Sequence, residues 1–405
     1  MARLDAVSEV PPSLVSMRIL HTSDWHIGRT FHGYSTLEAL RGVLAVLVEQ
    51  VREHEVDAVI VAGDVFDSAT PAAECYTLLS DTLRGLADTG ARVIVTSGNH
   101  DSAARLGFQA GLLRDGIHVI TDPLSVGTPL TLTDAHGPVH VYGIPYLEPA
   151  RVRHLWSEVE LRTQAQTLAH AMDLVRADQA VRGGRSVAVA HCFAAGIEAT
   201  PGVEREIRQG NLDVVPLSVF DGPDYIALGH IHGRQRLSER VRYAGAPLHY
   251  SFGEKGRLRG SWLVDLDATG LADVTWLDLP VPRALRVLRA PLEELLTDER
   301  FSDAEADWVC AEYTDTLPQR DVMRRLQERF PHCATVSHMP ERVGAPGTLS
   351  YVERVRAARS DRELLDAFLV HVREGEGATE RERDLIADLI ADDRPIEKVL
   401  AEARS

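Results

Sequence analysis

The sequence predicts an α/β layered domain built on a buried sheet, and three observations carry that expectation. Short, near-continuous apolar runs recur through the first two-thirds of the chain. Stretches with helical spacing separate them, and compact polar clusters follow several of the runs. Strand alternating with helix, with strands apolar on both faces, is the pattern of a sheet covered on both sides.

The runs can be taken in order. Met17 to Leu20 opens the first strand and leads into His21-Thr22-Ser23-Asp24-Trp25-His26. A helix follows, with Leu37, Leu40, Leu44, Leu47 and Val51 on one face. Ala58 to Ala62 is the next strand and runs into Gly63-Asp64. A second helix, with Leu78, Leu79, Leu83 and Leu86, precedes the strand Arg92 to Val95 and the cluster Ser97-Gly98-Asn99-His100-Asp101. Further strand signals lie at His140–Ile144, Val187–Ala190, Tyr225–Leu228, Arg242–Ala244 and Trp262–Leu266.

Pro280-Val281-Pro282 reads as a boundary, because paired prolines interrupt either regular structure. Beyond it, strands at Leu285–Leu288, Trp308–Tyr313 and Ala334–His338 alternate with helical segments at Leu292–Leu296 and Val322–Phe330. From Asp361 the chain turns helical, with one apolar stripe at Leu364, Leu365, Phe368, Leu369 and Val372 and another at Leu385, Ile386, Leu389 and Ile390. The expected organisation is a flexible leader over 1–16, a main domain over 17–282, a small α/β domain over 283–350 and a helical region over 351–405.

Composition narrows the function classes. The 405 residues are 44% hydrophobic and 25% charged, which suits a soluble globular protein rather than a disordered one. Acidic residues outnumber basic ones by 60 to 43, a formal charge of −17, which argues against coating nucleic acid through bulk charge. Cys75, Cys192, Cys310 and Cys333 form no C-x-x-C pair, so neither a disulfide framework nor a zinc ribbon is indicated. The first residues carry Asp5 and Glu9 and lack the apolar centre of a signal peptide, and no stretch has the length of a membrane span. A cytoplasmic location is expected. Lysine occurs only at 255 and 398, neither within G-x-x-x-x-G-K-[ST], so the sequence carries no P-loop.

The chemistry lies in five polar clusters, each placed after a predicted strand: Asp24-x-His26, Gly63-Asp64-x-x-Asp67, Gly98-Asn99-His100-Asp101, Ala190-His191 and Gly229-His230-Ile231-His232. Ligands of α/β sheets gather outside the carboxyl ends of strands, where loops converge. Alone, each cluster reads as an ordinary turn, a helix cap or a packed histidine. Together they offer carboxylates, an amide and imidazoles without thiolate, a donor set for Mn²⁺, Fe or Zn²⁺, with room for two ions sharing a carboxylate.

D-x-H, G-D-x-x-D, G-N-H-D, H and G-H-x-H in this order resemble the calcineurin-like metallophosphoesterase superfamily. The segments His21 to Gly28, Gly143-Ile144-Pro145-Tyr146-Leu147, Tyr243 to Pro247 and Ser251-Phe252-Gly253-Glu254 are similar to its SbcD-type nuclease branch. The resemblance runs from about Met17 to Asp267, with the remainder alike in layout. It implies a four-layer α-β-β-α sandwich with a small α/β capping domain and a C-terminal helical tail.

The resemblance also implies a site. Asp24, His26 and His232 would hold one Mn²⁺, Asn99, His191 and His230 another, and Asp64 would bridge them, with Mg²⁺ as substitute. His100 would stabilise the transition state and protonate the leaving sugar oxygen. Asp67 would accept a hydrogen bond from the His100 ring and keep it cationic; relatives carry histidine at this position. The implied activity is 3′–5′ double-strand exonuclease and single-strand or hairpin endonuclease cleavage of DNA in repair and recombination. The implied partners are an SbcC-type ATPase, bound by the C-terminal helices, and a second copy of the chain. Arg283, Arg286 and Arg289 suit phosphate contacts in the capping region. The competing expectations are a small-substrate phosphodiesterase or phosphatase and a non-catalytic scaffold.

Overall fold

The computed structural model describes residues 16–108, 110–195, 214–340, 354–356, 358, 360–373 and 377–392. Apart from Ser16, the expected leader lies outside the described residues.

In chain order the strands are β1 (Met17–Thr22), β2 (Thr30–Phe31), β3 (Tyr34–Ser35), β4 (Ala58–Ala62), β5 (Arg92–Thr96), β6 (Ile117–Ile120), β7 (Leu130–Asp134), β8 (Gly137–Gly143) and β9 (Arg185–His191). They continue with β10 (Tyr225–Gly229), β11 (Gln235–Arg236), β12 (Val241–Tyr243), β13 (Gly260–Asp267), β14 (Gly270–Asp278), β15 (Leu285–Ala290), β16 (Trp308–Tyr313) and β17 (Cys333–His338). Two six-stranded sheets dominate, one in the order β14-β13-β1-β4-β5-β6 and the other β11-β12-β10-β9-β8-β7. β1, β4, β5 and β6 run parallel, as do β8, β9, β10 and β12; antiparallel strands close the edges at β13–β14, β7 and β11.

The period-two alternation of side chains explains the layering. In the first sheet Ile19, Ile60 and Ile94 face inward, where they pack with Val187, Val189, Tyr225 and Ala227 of the second sheet. Their neighbours Leu20, Val59, Val61, Val93 and Val95 face outward, against the helices Leu37–Glu53 and Ala73–Asp88 through Leu40, Leu44, Leu47, Leu78 and Leu86. In the second sheet Ala188, Ala190, Ile226 and Leu228 meet Leu168, Ala171, Met172 and Val175 of the helix Gln164–Arg182. The result is the expected α-β-β-α sandwich, and every central strand is apolar on both faces because each face is covered.

The chain divides into two compact units. The first comprises Met1–Val287, Glu299–Ala311 and Leu326–Thr335; the second comprises Leu288–Asp298, Glu312–Arg325 and Val336–Ser405. Strands β15, β16 and β17 form a three-stranded sheet. The second unit also holds the helices Asp361–Val372 and Glu380–Asp392. The side chains of Leu389 and Ile390 lie outside the described residues. Among the described residues no helix is long and apolar enough to cross a membrane.

Candidate metal centre

The carboxyl ends of β1, β4 and β5 in one sheet and of β9 and β10 in the other open onto the same place, and the five clusters meet there. Asp24, His26, Asp64, His191 and His232 are buried, whereas Asn99, His100 and His230 are partly exposed and form the open side. The loops after β1 and β4 are zipped together, with the amides of Asp24, His26 and Ile27 donating to the carbonyls of Gly63, Asp64 and Val65 at 3.1, 3.0 and 2.9 Å.

Those bonds hold an unusual backbone. Asp24, His26, Asp64 and His230 have φ of 53°, 44°, 48° and 107°. Each such residue costs on the order of 1–3 kcal/mol, and clusters of this kind occur where the surroundings enforce them at working sites. Gly98 makes room for the turn: a Cβ there would strike the Asp64 carboxylate and amide.

Asp64 sits between two groups of donors. Its Oδ2 lies 3.3 Å from His191 Nε2 and 3.6 Å from His26 Nε2, while its Oδ1 accepts the main-chain amide of His100 at 2.9 Å. On one side His26 Nε2 and His232 Nε2 face each other at 3.0 Å, and Asp24 joins them within 4.8 Å. On the other side Asn99 Oδ1 lies 3.0 Å from both His191 Nε2 and His230 Nδ1. Asp24 Oδ1 accepts the amide of His230 at 2.9 Å, and its Oδ2 accepts the Ser23 hydroxyl at 2.5 Å.

The charge pattern suits cations. Burial pushes Asp24 up. Burial also opposes the Asp64 charge, yet His191, His26 and His100 hold that carboxyl well below the usual range. His191 is pushed up to about 9 by Asp64 and Asp24 against its burial, while burial takes His26 to about 4 and His230 to about 3. The neutral rings of His26 and His230 offer lone pairs beside the buried carboxylates, and His191 would give up its proton to a bound cation. This mixed oxygen and nitrogen set, free of sulfur, fits divalent first-row metals.

The distal nitrogens of His191 and His232 are also engaged, as is usual for ligating histidines. His191 Nδ1 is 3.0 Å from the Ala62 carbonyl, and His232 Nδ1 is 3.3 Å from Glu254 Oε1. His26 Nδ1 lies 3.3 Å from Asp67 Oδ1, but off the line of a hydrogen bond.

Here the structure corrects one expectation. The Asp67 carboxylate does not take the His100 ring. It faces His26 and the Arg29 guanidinium, 3.1 Å away, and it is the Asp67 main-chain carbonyl that accepts from His100 Nδ1 at 2.9 Å. The reason is local: the Asp67 amide bonds the Ile27 carbonyl, which turns the side chain toward the β1 loop. The neighbouring His26 ring and the Arg29 guanidinium hold Asp67 below the usual carboxylate range despite its burial. Asp101 caps the neighbouring loops, accepting the amides of Val65, Phe66 and Gly98. Sequence reasoning gave no role to Ser23, Glu254 or Arg259; Glu254 belongs to the segment Ser251–Glu254, but no spacing rule ties it to His232.

The arginines at 283, 286 and 289 are engaged within the protein. Arg283 donates to the Ala306 carbonyl and lies over the Trp308 ring, Arg286 pairs with Asp303 and Asp307, and Arg289 stands 4.0 Å from Glu312.

Comparison with known proteins agrees with this geometry. The calcineurin-like phosphoesterase family matches residues 17–234, and the family described as the type 5 capsule protein repressor C-terminal domain matches residues 281–372. The SbcD component of the SbcCD nuclease from Escherichia coli strain K12 is 33% identical over 328 residues, covering 77% of this chain and 81% of that protein. Its counterpart in the SbcCD nuclease of Rhodobacter capsulatus is 38% identical over 307 residues, covering 69% of this chain and 74% of that protein.

Proposed function

This chain belongs to the calcineurin-like phosphoesterase family, in the branch of the SbcD nuclease subunits, and from that premise we propose that it is a Mn²⁺-dependent DNA nuclease subunit working with an SbcC-type ATPase. The observation that carries the reading is the position of Asp64, whose Oδ2 faces His191 on one side and His26 on the other.

Asp24, His26 and His232 would hold one divalent cation and Asn99, His191 and His230 a second, with Asp64 shared. Bound there, the cations supply fixed positive charge for the phosphoryl oxygens and a more acidic water. The remaining chemistry belongs to side chains. His100 is partly exposed at the open side, and its Nδ1 is committed to the Asp67 carbonyl. That leaves Nε2 to carry a proton to the leaving sugar oxygen of a phosphodiester. Asp67 positions the His100 ring through its carbonyl, while its carboxylate faces His26 and Arg29. Main-chain bonds lock the ligand loops before substrate arrives, so little reorganisation is needed during reaction.

We assign residues 17–282 to the nuclease domain, 283–350 to a capping domain that contacts DNA and 351–405 to partner binding. The helix Asp361–Val372 supports the last assignment, since Leu364, Leu365, Phe368 and Val372 are 44%, 40%, 48% and 58% exposed along one stripe. An apolar stripe left exposed among the described residues suits helix-to-helix docking on an ATPase coiled coil. The activity proposed is 3′–5′ exonuclease on duplex ends and endonuclease on hairpins, in an assembly of two such chains with two ATPases.

The test is incubation of the full chain with a blunt duplex and a hairpin, in Mn²⁺ or Mg²⁺, with and without the ATPase and ATP. Cleavage that requires Mn²⁺ and rises with the ATPase and ATP is expected. Turnover of phosphomonoesters or cyclic nucleotides with DNA left intact would instead establish a small-substrate phosphoesterase.

A further inference from the structure

We propose that Glu254, braced by Arg259, is a positioning residue that fixes the tautomer of His232 and thereby makes Nε2 its cation-facing atom; the cation part of this rests on the function proposed for the centre.

Glu254 is fully buried and Arg259 is 2% exposed. Sealing a carboxylate and a guanidinium inside a protein carries a large desolvation cost, and an apolar pair of similar volume is often at least as stable. Their arrangement identifies what they do. Glu254 Oε2 accepts from Arg259 Nη2 at 2.7 Å and from the Tyr250 amide at 3.0 Å. Oε1 is left for His232 Nδ1, 3.3 Å away. The other arginine nitrogen, Nη1, donates to the His232 carbonyl and, at 3.2 Å, to the Ala246 carbonyl. The pair therefore grips one residue twice, Glu254 by the ring and Arg259 by the main chain.

The chemistry follows from donor counting. An ionised carboxylate only accepts, so the proton of the neutral His232 ring resides on Nδ1. The lone pair is then on Nε2, the nitrogen 3.0 Å from His26 Nε2 and grouped with Asp24. On the other side of Asp64, His191 is oriented by the neutral carbonyl of Ala62 instead. A carboxylate behind a ligating imidazole also strengthens the imidazole as a donor, and loss of such a partner typically costs 10–100-fold in metal affinity.

Glu254→Gln separates this role from packing because the side chains match in shape. The glutamine oxygen must face the two donors from Arg259 and Tyr250. Its amide nitrogen then points at His232 Nδ1, which is forced to become an acceptor, and the ring proton moves to Nε2. In the metal-free full chain, ¹⁵N-histidine NMR should show His232 protonated at Nδ1 in the wild type and at Nε2 in Glu254→Gln. Mn²⁺ titration should show one class of site weakened 10–100-fold in the variant, with the other retained, and Glu254→Asp should recover part of the loss. A wild-type His232 protonated at Nε2 overturns the proposal without recourse to any variant, as does a Glu254→Gln protein with unchanged tautomer and unchanged affinity. A tautomer switch in a chain that binds no Mn²⁺ would uphold the Glu254 assignment and overturn the metal reading instead.

Discussion

Asp64 Oδ1 accepts the main-chain amide of His100 at 2.9 Å, so the carboxylate at the centre of the cluster also fixes the loop bearing the outermost histidine. The bond is to the amide, and the His100 ring is anchored separately on the Asp67 carbonyl. Replacing His100 by alanine keeps the amide and hence the Asp64 geometry. We expect His100→Ala to bind Mn²⁺ as the wild type does and to cleave DNA roughly 10²–10⁴-fold more slowly, the usual scale for a lost general acid. Loss of bound Mn²⁺ in this variant would make His100 a ligand.

Asp101 gathers three amides, those of Val65, Phe66 and Gly98, at 3.1, 2.9 and 2.8 Å. These belong to the loops that carry Asp64 and Asn99. Asp101→Ala strands all three in a buried site, where each unpaired group costs about 1–3 kcal/mol. A total loss of at least about 3 kcal/mol in urea unfolding is expected, with bound Mn²⁺ reduced. A change below about 1 kcal/mol would mean the loops hold their shape without it.

Acid should destabilise the fold through His21. The ring is fully buried, with Nδ1 3.0 Å from the Tyr225 hydroxyl and Nε2 3.1 Å from the Leu228 carbonyl, and burial lowers it to about 3. A histidine whose folded value lies below its unfolded one takes up its proton in the unfolded chain first. Its contribution is intact above about pH 6.5 and is lost as pH falls toward 3, at up to about 1.4 kcal/mol per pH unit. Unfolding free energies measured from pH 7 to 5 should fall more steeply for the wild type than for His21→Phe. Parallel slopes would contradict this.

The exposed stripe on the helix Asp361–Val372 gives a prediction about assembly. Phe368 is 48% exposed, so Phe368→Glu removes little core packing. It should leave the melting temperature and the Mn²⁺-dependent cleavage of the isolated chain unchanged while weakening capture of the ATPase at least tenfold. Undiminished capture would move the docking surface elsewhere.

Much of the architecture was legible because the covered sheets leave near-continuous apolar strands. The expectation at Ala58–Ala62 matches β4, and those around Val187, Tyr225 and Trp262 fall within β9, β10 and β13. The helix Gln164–Arg182 was missed because its buried face is diluted by Thr167 and Ala171, although Thr163 and Gln166 form a capping box that signals its start. β14 escaped notice because, as an outer strand, it exposes or half-exposes most of its side chains. At the site, strand ends disclosed which loops converge, since polar residues after apolar strands are conspicuous. They could not disclose that Asp67 would offer His100 its carbonyl, nor that Glu254 would stand behind His232. Both depend on where irregular loops turn, and irregular loops have no period to read.

The most direct test counts Mn²⁺ bound per chain at saturation in the wild type and in Asp64→Ala. Two ions in the wild type and none in the variant are expected, because the shared carboxylate serves both groups of donors. Fewer than two in the wild type, or two retained without Asp64, would contradict the account of this centre.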